Sequence, residues 1–456
     1  MDVKSTSAPR CRCLFGTDGV RDIANRGSMT PEMALRLGRA YVLFLIQRGT
    51  PRPKIVVGRD TRRSGKMLES ALVAGMMSAG AEVILLGVIP TPAVSYGVLF
   101  FKAQGGAIIS ASHNPPEYNG IKFLSGAGQK LRDGEELEIE DYLGDDLIDD
   151  WRPSGASIGE MVSEEGFAIM YADRVLQILD SDRLSGMKIV FDCANGAAST
   201  VIPLIAQKLE CESVLIGAEP DGLNINEKSG VMHLEALTEA VRANDADIGI
   251  AYDGDADRVL LVDRQGAVIN GDIVLWVLAR WLQREGILGS GVVATVMSNG
   301  ILENHLRKEG IQVFRCAVGD RYVLDMMKST ASGLGGEQSG HVIIDHYVRT
   351  GDGLCTGFAF LRACRELGEV PETLVDRFDP FPQELTNITV SDRDKVMQDA
   401  ELRNAIEQTN RELGTTGRVF LRSSGTEPLI RLLVECKDRD TLASLSKKFG
   451  AMIRAL

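Results

Sequence analysis

Short apolar runs alternate with amphipathic stretches along most of this chain. The first series of such segments lies at 55–57, 67–79, 83–86 and 107–109. Alternation of this kind predicts α/β units, in which parallel strands are joined by right-handed crossovers through helices. The same order of strand, glycine-containing turn, helix, strand, helix and strand returns within 189–251 and within 292–335. We therefore predict an α/β fold with three similar domains whose sheets are mixed or parallel.

A polar loop follows directly after the last strand of each predicted unit. These loops are SASHNPP at 110–116, DGDADR at 253–258 and GEQSGH at 336–341. In the first loop, Pro115 and Pro116 prevent the strand from continuing, so Ser112 is predicted on a turn at a strand's end. Open α/β sheets bind their ligands beyond the carboxyl ends of the strands. The repeat therefore predicts three functional loops at equivalent ends of three sheets.

The last part of the chain has a different pattern. Strand-like runs are at 385–390, 419–421 and 429–435, one long amphipathic helix is predicted at 394–413, and a closing helix begins at Arg439. This order predicts a smaller C-terminal α+β domain with its own polar loop, RSSGTEP at 422–428. The predicted domains are 1–155, 156–259, 260–372 and 373–456.

The composition is that of an ordinary globular protein, with 456 residues, 44% of them hydrophobic and 25% charged. A formal net charge of −13 argues against nucleic acid and against an anionic membrane surface as partners. No apolar run approaches the roughly 20 residues of a membrane span, and residues 1–13 lack the apolar core of a secretory signal. The eight cysteines include no CxxC pair, which favours the cytoplasm. Cys11 and Cys13 are interpreted as a chance pair of thiols, with a metal or redox pair as the alternative.

Three aspartates alternate along the second polar loop. Asp253, Asp255 and Asp257 can point to the same side of an extended segment. Three like charges so close together are costly unless a cation compensates them. Hard oxygen ligands suit Mg²⁺ or Ca²⁺, and Mg²⁺ is the better partner for phosphate chemistry, although a solvated acidic turn is the alternative. An EF-hand is excluded, because Arg258 and Arg264 stand where that loop requires Gly and Glu.

Two other polar loops have the chemistry to bind a phosphate and a sugar. The loop at 422–428 offers a guanidinium, three hydroxyls and a glycine that permits close backbone approach, which matches a phosphate group. Arg431 is predicted on the strand that follows. The loop at 336–341 gathers donor and acceptor side chains between glycines, as sugar hydroxyls require.

Two familiar motifs are excluded. The segment GRDTRRSGK at 58–66 is not a P-loop, because six residues separate its glycines where four are needed and Met67 replaces the Ser or Thr after the lysine. No GxSxG motif surrounds Ser112, which argues against a hydrolase elbow. A serine hydroxyl near a Mg²⁺ site, with a phosphate loop and a sugar loop, instead favours phosphoryl transfer through a covalent phosphoserine.

These four polar loops together resemble the α-D-phosphohexomutase superfamily, over essentially the whole chain from Phe15. The resemblance implies four domains around a central cleft. It makes Ser112 the phosphorylated serine, which binds one Mg²⁺ together with Asp253, Asp255 and Asp257. The other residues that it implies are Arg21, His113 and Lys122 beside the reacting phosphate, Glu337 and Ser339 on the sugar hydroxyls, and Arg422, Ser424, Gly425 and Thr426 on the non-reacting phosphate. Arg258, His341 and Arg431 complete the predicted substrate contacts.

Within the superfamily, FGTDGVR at 15–21, Gln338 and GTEP at 425–428 are similar to the bacterial branch that acts on glucosamine phosphate. That similarity implies transfer of a phosphoryl group from phosphoserine to glucosamine 6-phosphate, which gives the 1,6-bisphosphate as intermediate and activator. The bisphosphate then reorients and returns its 6-phosphate to Ser112, leaving glucosamine 1-phosphate for UDP-N-acetylglucosamine synthesis. The predicted partner is a small-molecule hexosamine phosphate. A homodimer is the assembly that we consider for the chain.

Two residues depart from the family pattern, and other functions stay open. Ala256 stands where Gly is usual, and because Ala does not readily take a positive φ, we expect an ordinary backbone there. Asp22 follows Arg21 where Gly is frequent. Activity is expected to survive both changes. The alternatives are a phosphomannomutase or phosphoglucomutase, a phosphatase, and a phosphosugar-binding protein without catalysis.

Overall fold

The structure is a computed structural model that describes residues 14–16, 18–144, 147–179, 184–423 and 429–456. Cys11 and Cys13 lie outside these residues. The described chain forms two compact units, one that runs up to Val296 and includes Phe314–Glu372, and one that contains Met297–Val313 and Thr373–Leu456. Within the described ranges, no helix combines the length and the apolar character needed to cross a membrane.

The first unit begins with a six-stranded mixed sheet. Its elements are β1 (Val20–Ile23), α1 (Pro31–Gln47), β2 (Lys54–Arg59), α2 (Gly65–Ser78), β3 (Glu82–Val88), α3 (Thr91–Phe100), β4 (Gly105–Ile109), β5 (Tyr118–Ser125), α4 (Asp133–Leu143), α5 (Leu147–Asp150) and β6 (Met161–Ser163). The strand order is β1-β5-β4-β2-β3-β6. Strands β2, β3, β4 and β6 are parallel, and β5 is antiparallel to both β4 and β1. Leu37, Val57 and Ile109 are buried in one core between this sheet and its helices.

A five-stranded sheet follows in the same unit. Its elements are α6 (Phe167–Leu176), β7 (Lys188–Asp192), α7 (Ile202–Ala206), β8 (Glu212–Ile216), α8 (Glu235–Ala243), β9 (Ile248–Tyr252), β10 (Val259–Asp263) and β11 (Val268–Ile269). The strand order is β11-β10-β9-β7-β8. Strand β7 is parallel to β8 and β9, and β10 is antiparallel to β9. Its core includes Val190, Leu237 and Ala251.

The third sheet has four strands in the order β13-β12-β14-β15. The elements of this region are α9 (Gly271–Arg284), β12 (Val292–Thr295), α10 (Gly300–Lys308), β13 (Val313–Cys316), α11 (Asp320–Thr330), β14 (Leu334–Gly336), β15 (Val342–Ile344), α12 (Gly353–Leu367) and α13 (Pro371–Phe378). Strand β12 is parallel to β14, and β15 is antiparallel to β14.

The three sheets share one arrangement, which confirms the predicted repeat. In each, the first strand of the repeat lies between the second and the third, and an antiparallel strand follows the third, as β5-β4-β2-β3, β10-β9-β7-β8 and β15-β14-β12-β13 show. Each predicted polar loop is the hairpin that joins the third strand to this antiparallel neighbour. The fold therefore presents the three loops in the same way, because each is the point where a buried strand ends and the chain reverses.

The second unit contains a three-stranded antiparallel sheet in the order β16-β18-β17. Its elements after α13 are β16 (Gln383–Thr389), α14 (Arg393–Gln398), α15 (Ala400–Leu413), β17 (Gly417–Ser423), β18 (Leu429–Cys436) and α16 (Arg439–Ala455). Val434 and Phe449 are fully buried in its core. Helix α10 belongs to this unit as well, since the buried Glu435 carboxylate accepts a hydrogen bond from Gly300 N at 2.7 Å.

The prediction of one helix at 394–413 is wrong, because two helices occupy these residues. They are interrupted at Asp399, whose backbone is extended with a ψ of 122°. The Asp399 side chain accepts a hydrogen bond from Leu402 N at 2.7 Å and so caps the second helix. Asp399 therefore ends one helix and begins another.

Two glycines let α1 and α2 pack at backbone contact. A Cβ atom on Gly75 would lie 2.1 Å from Leu35 O, and one on Gly38 would lie 2.3 Å from Leu72 O. Both distances are shorter than any real carbon–oxygen contact, so neither position accepts a side chain without separating the helices. This close packing supports the sheet that carries Ser112.

We expect Gly75→Ala to lower the melting temperature of the protein clearly, because overpacking a closed backbone contact costs about 1–3 kcal/mol. The matched control is Gly134→Ala, since Gly134 lies in α4 with no atom within 4 Å of an added Cβ. The control should melt like the wild type or slightly higher, because Ala favours helix over Gly. Thermal unfolding followed by circular dichroism measures both, and equal melting temperatures for the two variants would contradict the packing argument.

Candidate active site

Ser112 lies in the hairpin loop between β4 and β5. Its φ is 50°, a left-handed conformation that residues other than glycine rarely adopt. The hydroxyl Oγ donates a hydrogen bond to Asp253 Oδ2 at 2.6 Å and lies 3.2 Å from His113 Nδ1. Burial lowers the pKa of His113 to about 4, so this ring is neutral near neutral pH. The loop thus holds a buried hydroxyl directly against the polar loop of the second sheet.

Asp253, Asp255 and Asp257 lie in the hairpin between β9 and β10. One carboxylate oxygen from each lies within 4.8 Å of the others, and all three side chains are buried. Burial, reinforced by the two neighbouring carboxylates, holds the pKa of Asp253 well above its ordinary value. A cation beside these groups would reverse that effect and let Asp253 ionise.

The donor set of this cluster fits a hard divalent cation. Asp255 Oδ1 and Asp257 Oδ1 are buried and have no hydrogen-bond partner among the described residues. Buried carboxylate oxygens are normally hydrogen-bonded or bound to a metal. The three aspartates therefore can hold a metal ion, with Ser112 Oγ as a fourth oxygen beside Asp253.

The expectation of an ordinary backbone at Ala256 is wrong, because its φ is 57°. Ala256 N donates to Asp253 O at 3.0 Å, and Gly353 N, at the start of α12, donates to Ala256 O at 3.0 Å. These bonds, one on each side, hold Ala256 in a conformation that costs a residue with a Cβ about 1–2 kcal/mol. Gly353 has to be a glycine, since a Cβ there would lie 2.4 Å from Arg258 O.

Lys122 connects the loop of the three aspartates with the first sheet. Its Nζ lies 3.2 Å from Asp255 Oδ2 and 2.8 Å from Asp18 Oδ2. Burial opposes the positive charge of Lys122, but the two aspartates outweigh it and raise the pKa. Arg21 in turn binds Asp18 Oδ2 at 2.7 Å and Asn114 Oδ1, in the loop of Ser112, at 2.8 Å. Two predicted cations therefore share one carboxylate at the edge of the site.

The third polar loop joins β14 to β15. Ser339 Oγ donates to Glu337 Oε2 at 3.1 Å, and Gly319 N donates to Glu337 Oε1 at 3.0 Å. Arg258 and His341 form an isolated antiparallel bridge, so the backbones of the second and third loops are in direct contact. The third polar loop thus lies next to the loop of the aspartates.

Charges of opposite sign alternate from the third loop back to the first sheet. The His341 ring lies between Asp257, with Nδ1 at 3.6 Å, and Asp320, with Nε2 at 3.9 Å. Lys130 pairs with both Asp320 and Asp18. A cavity of about 330 Å³ lies beside Lys130, Asp320 and His341. This series of ion pairs surrounds the aspartate cluster with compensating charge from the first and third sheets.

The predicted phosphate loop belongs to the second unit. Arg422, on β17, lies directly opposite Arg431, on β18, in the antiparallel register. The register therefore makes these two predicted phosphate ligands neighbours on one sheet. Ser424, Gly425 and Thr426 lie outside the described residues.

Within the first unit, the structure joins the predicted residues through direct contacts. They are Arg21, Ser112, His113, Lys122, Asp253, Asp255, Asp257, Arg258, Glu337, Ser339 and His341. Sequence reasoning missed several neighbours. Thr91 donates from Oγ1 to Asp255 Oδ2 at 2.7 Å, and no local pattern marks it. Asp18 could have been found, because it lies within the family motif at 15–21.

Four family models match the chain in succession. They are phosphoglucomutase/phosphomannomutase α/β/α domain I at 12–146, domain II at 170–266, domain III at 270–381 and the C-terminal domain at 385–450. The phosphoglucosamine mutase of Geobacillus kaustophilus is 42% identical over 443 residues, which cover 96% of this chain and 98% of that protein. The phosphoglucosamine mutase of a Thermoanaerobacter species is 45% identical over 443 residues, with the same coverage of 96% and 98%. The chain belongs to the phosphoglucosamine mutase family.

Solved structures of the wider superfamily share the fold of this phosphoglucosamine mutase family member. A phosphoglucomutase/phosphomannomutase family protein from Burkholderia thailandensis aligns with a TM-score of 0.81 and 25% identity, covering 96% of this chain and 97% of that one. The N-acetylphosphoglucosamine mutase of Aspergillus fumigatus, solved with GlcNAc-6P and magnesium, aligns with a TM-score of 0.68 and 16% identity over 98% and 96%.

We expect millimolar Mg²⁺ to raise the melting temperature of the wild type and Asp255→Asn to abolish that rise. An ion that binds only the native state stabilises it by about 2.7 kcal/mol at one hundred times its dissociation constant. Asp245→Asn is the matched control, because Asp245 is exposed and Asn also tolerates its φ of 50°. Differential scanning fluorimetry measures the melting temperatures with and without Mg²⁺. A wild type whose melting temperature does not respond to the ion would refute the metal assignment.

Proposed function

We propose that this chain interconverts glucosamine 6-phosphate and glucosamine 1-phosphate through a phosphoserine at Ser112 and a 1,6-bisphosphate. The observation that carries the proposal is the 2.6 Å hydrogen bond from Ser112 Oγ to Asp253, within a buried cluster of three aspartates. A nucleophile bound to a candidate metal ligand is what transfer of a phosphoryl group requires. The named activity of the relatives at 42% and 45% identity supports glucosamine phosphate as the substrate.

The cycle consists of two transfers that balance. In the first, the bond from phosphorus to Ser112 Oγ breaks as phosphorus bonds to the C1 hydroxyl oxygen of glucosamine 6-phosphate, and the proton of that hydroxyl passes by way of a base of the site to the departing Ser112 Oγ. In the second, the bisphosphate presents its 6-phosphate, whose bond to O6 breaks as phosphorus returns to Ser112 Oγ, and the proton of Ser112 Oγ passes back to O6. Glucosamine 1-phosphate is released for UDP-N-acetylglucosamine synthesis.

Each residue of the cluster has a proposed task in these transfers. Lys122 and Arg21 hold negative charge of the transferring group next to Ser112, since both cations already converge on Asp18. Ser112 and the three aspartates would hold Mg²⁺, which would neutralise further charge when bound. The magnesium in the Aspergillus fumigatus structure supports this choice of ion. His113, 3.2 Å from Ser112 Oγ, orients the hydroxyl.

Substrate recognition is proposed to use separate residues for the sugar and for the non-reacting phosphate. Glu337 and Ser339 hold sugar hydroxyls, with Arg258 and His341 beside them, and the hydrogen bond between Glu337 and Ser339 supports a shared task. The non-reacting phosphate is assigned to Arg422, Ser424, Gly425, Thr426 and Arg431. The division into a phosphoserine domain, a metal domain, a sugar domain and a phosphate domain at 1–155, 156–259, 260–372 and 373–456 is kept as part of this proposal.

The proposed location of the protein is the cytoplasm, and its proposed assembly is a homodimer. The six cysteines of the described ranges are free thiols, as expected in a reducing compartment. Strand β6 is an edge of the first sheet, and Met161 and Val162 on it are 53% and 54% exposed. An exposed apolar edge strand is a natural place for a second chain to pair, which supports a dimer through this edge.

Substrate preference is tested by kcat/KM on glucosamine 6-phosphate against glucose 6-phosphate and mannose 6-phosphate, with Mg²⁺ and a trace of the matching bisphosphate. We expect a preference of at least about tenfold for the amino sugar, which corresponds to about 1.4 kcal/mol of transition-state binding. A preference for glucose or mannose phosphate would overturn the proposed substrate but not the proposed phosphoserine chemistry. Release of inorganic phosphate as the main product would favour a phosphatase.

Ser112→Ala separates catalysis from binding alone. We expect kcat to fall at least about a thousandfold, because the residue that forms the covalent intermediate is lost, while calorimetry still detects the sugar phosphate. Ser70→Ala, at an exposed serine on α2, is the control and should be fully active. An unchanged kcat for Ser112→Ala would contradict the phosphoserine mechanism.

The dimer is tested by analytical ultracentrifugation of the wild type and of Val162→Lys. We expect a dimer in the first and a monomer in the second, because a buried lysine at the strand edge opposes pairing. Val370→Lys, at a residue that is 51% exposed outside the sheet edge, serves as the control and should stay dimeric. A monomeric wild type would exclude the homodimer, and a dimeric Val162→Lys would exclude this edge.

A further inference from the structure

The segment at 58–66 does not match the P-loop motif, and its sequence alone indicates no function. In the structure it forms the turn between β2 and α2. Arg62, in the middle of this turn, has a completely buried side chain, as does Asp60. A buried guanidinium is costly unless every donor is used, so its partners indicate what it is for.

The Arg62 guanidinium binds the backbone of the Ser112 loop. Its Nη2 donates to Ser112 O at 3.0 Å and to Asn114 O at 2.7 Å. Its Nη1 donates to Tyr118 O at 3.0 Å and also to Pro115 O. One planar side chain therefore bonds three carbonyl oxygens of the loop and that of Tyr118, the first residue of β5, which fixes the loop in orientation as well as in position.

Asp60 ties the same arginine to the N–H side of Ser112. Its Oδ2 accepts from Arg62 Nε at 2.9 Å and from Ser110 Oγ at 2.6 Å. Ser110 Oγ in turn accepts from Ser112 N at 2.9 Å. The N–H and C=O of Ser112 are thus both held through this one ion pair.

Asn226, from the segment that follows β8 in the second sheet's domain, completes the arrangement. Its Nδ2 donates to Ser112 O at 2.9 Å and to Asn114 O at 3.1 Å. These are two of the carbonyls that Arg62 binds, approached from another domain. The loop therefore depends on side chains of both domains that flank it.

We infer that Arg62 and Asn226 form a carbonyl clamp that positions Ser112 for phosphoryl transfer. The clamp holds Ser112 in its left-handed conformation, with φ at 50°, and so directs Oγ at Asp253. A nucleophile displaced by 1 Å can cost about a hundredfold in rate, so fixing the backbone matters to kcat. Neither residue touches the reacting group, so both are positioning residues. The inference rests on the proposed function, because it assigns them to that reaction.

The test measures kcat, KM for glucosamine 6-phosphate and melting temperature for Asn226→Ala, Arg62→Lys and the double variant. We expect kcat to fall about 30- to 100-fold in each single variant, with KM within about threefold, because substrate contacts are intact. The two changes should be less than additive, since both residues hold the same two carbonyls. Arg63→Lys, at the exposed neighbouring arginine, is the matched control and should behave as wild type.

Intact mass spectrometry adds a readout that stability alone would not change. After incubation with the 1,6-bisphosphate, folded Asn226→Ala should gain phosphate on Ser112 more slowly than Arg63→Lys. If Asn226→Ala melts lower but keeps the wild-type kcat and loading rate, the clamp is structural only and the inference fails. A wild type without mutase activity would overturn the proposed function instead, so the two failures are distinguishable.

Discussion

The site depends on the mutual repulsion of three buried carboxylates. Asp253, Asp255 and Asp257 lie within 4.8 Å of one another out of water, an arrangement that a protein can keep only by surrounding it with positive charge. Lys122 supplies charge from the first sheet, and Asp257, against the effect of burial, raises the pKa of His341, which comes from the third. The requirement for compensation thus explains why residues from three sheets converge on one loop, and why a cation fits there.

The repeated topology is what makes this convergence possible. Each sheet ends its third strand in a hairpin to an antiparallel neighbour, and this hairpin carries the polar loop. Because every strand before the hairpin is buried, the loop begins from a rigid base and can hold an unfavourable backbone. The same supersecondary unit accordingly carries three different loops, for which we propose three chemistries: a nucleophile, a cluster of acidic ligands and a set of sugar-binding groups.

The sequence predicts those parts of the site whose chemistry is complete within a few neighbouring residues. The aspartate loop can be recognised from the sequence because its three carboxylates alternate over five positions. Ser112 can be recognised because prolines end the strand before it. Arg62 and Asn226 could not be recognised, since their partner Ser112 lies 50 and 114 residues away and only folding brings them together. The prediction of one helix through Asp399 is wrong for a different reason. Aspartate occurs both as a helix cap and on a solvated helix surface, and only the backbone conformation distinguishes the two.

Left-handed residues at the site show how its loops are stabilised. Ser112, Asn226 and Ala256 all have a φ between 50° and 59°, although none is a glycine. Conformations of this kind persist only where surrounding contacts fix them, and here the contacts come from other segments: Arg62 holds the carbonyl of Ser112, and Gly353 holds that of Ala256. An isolated first domain would keep the bonds from Arg62 to the Ser112 loop but lose those from Asn226, and an isolated second domain would lose the bond from Gly353 N to Ala256 O. The geometry that brings Ser112 Oγ to Asp253 is therefore a property of the assembled first unit, in which the second domain supports the Ser112 loop and the third supports the aspartate loop.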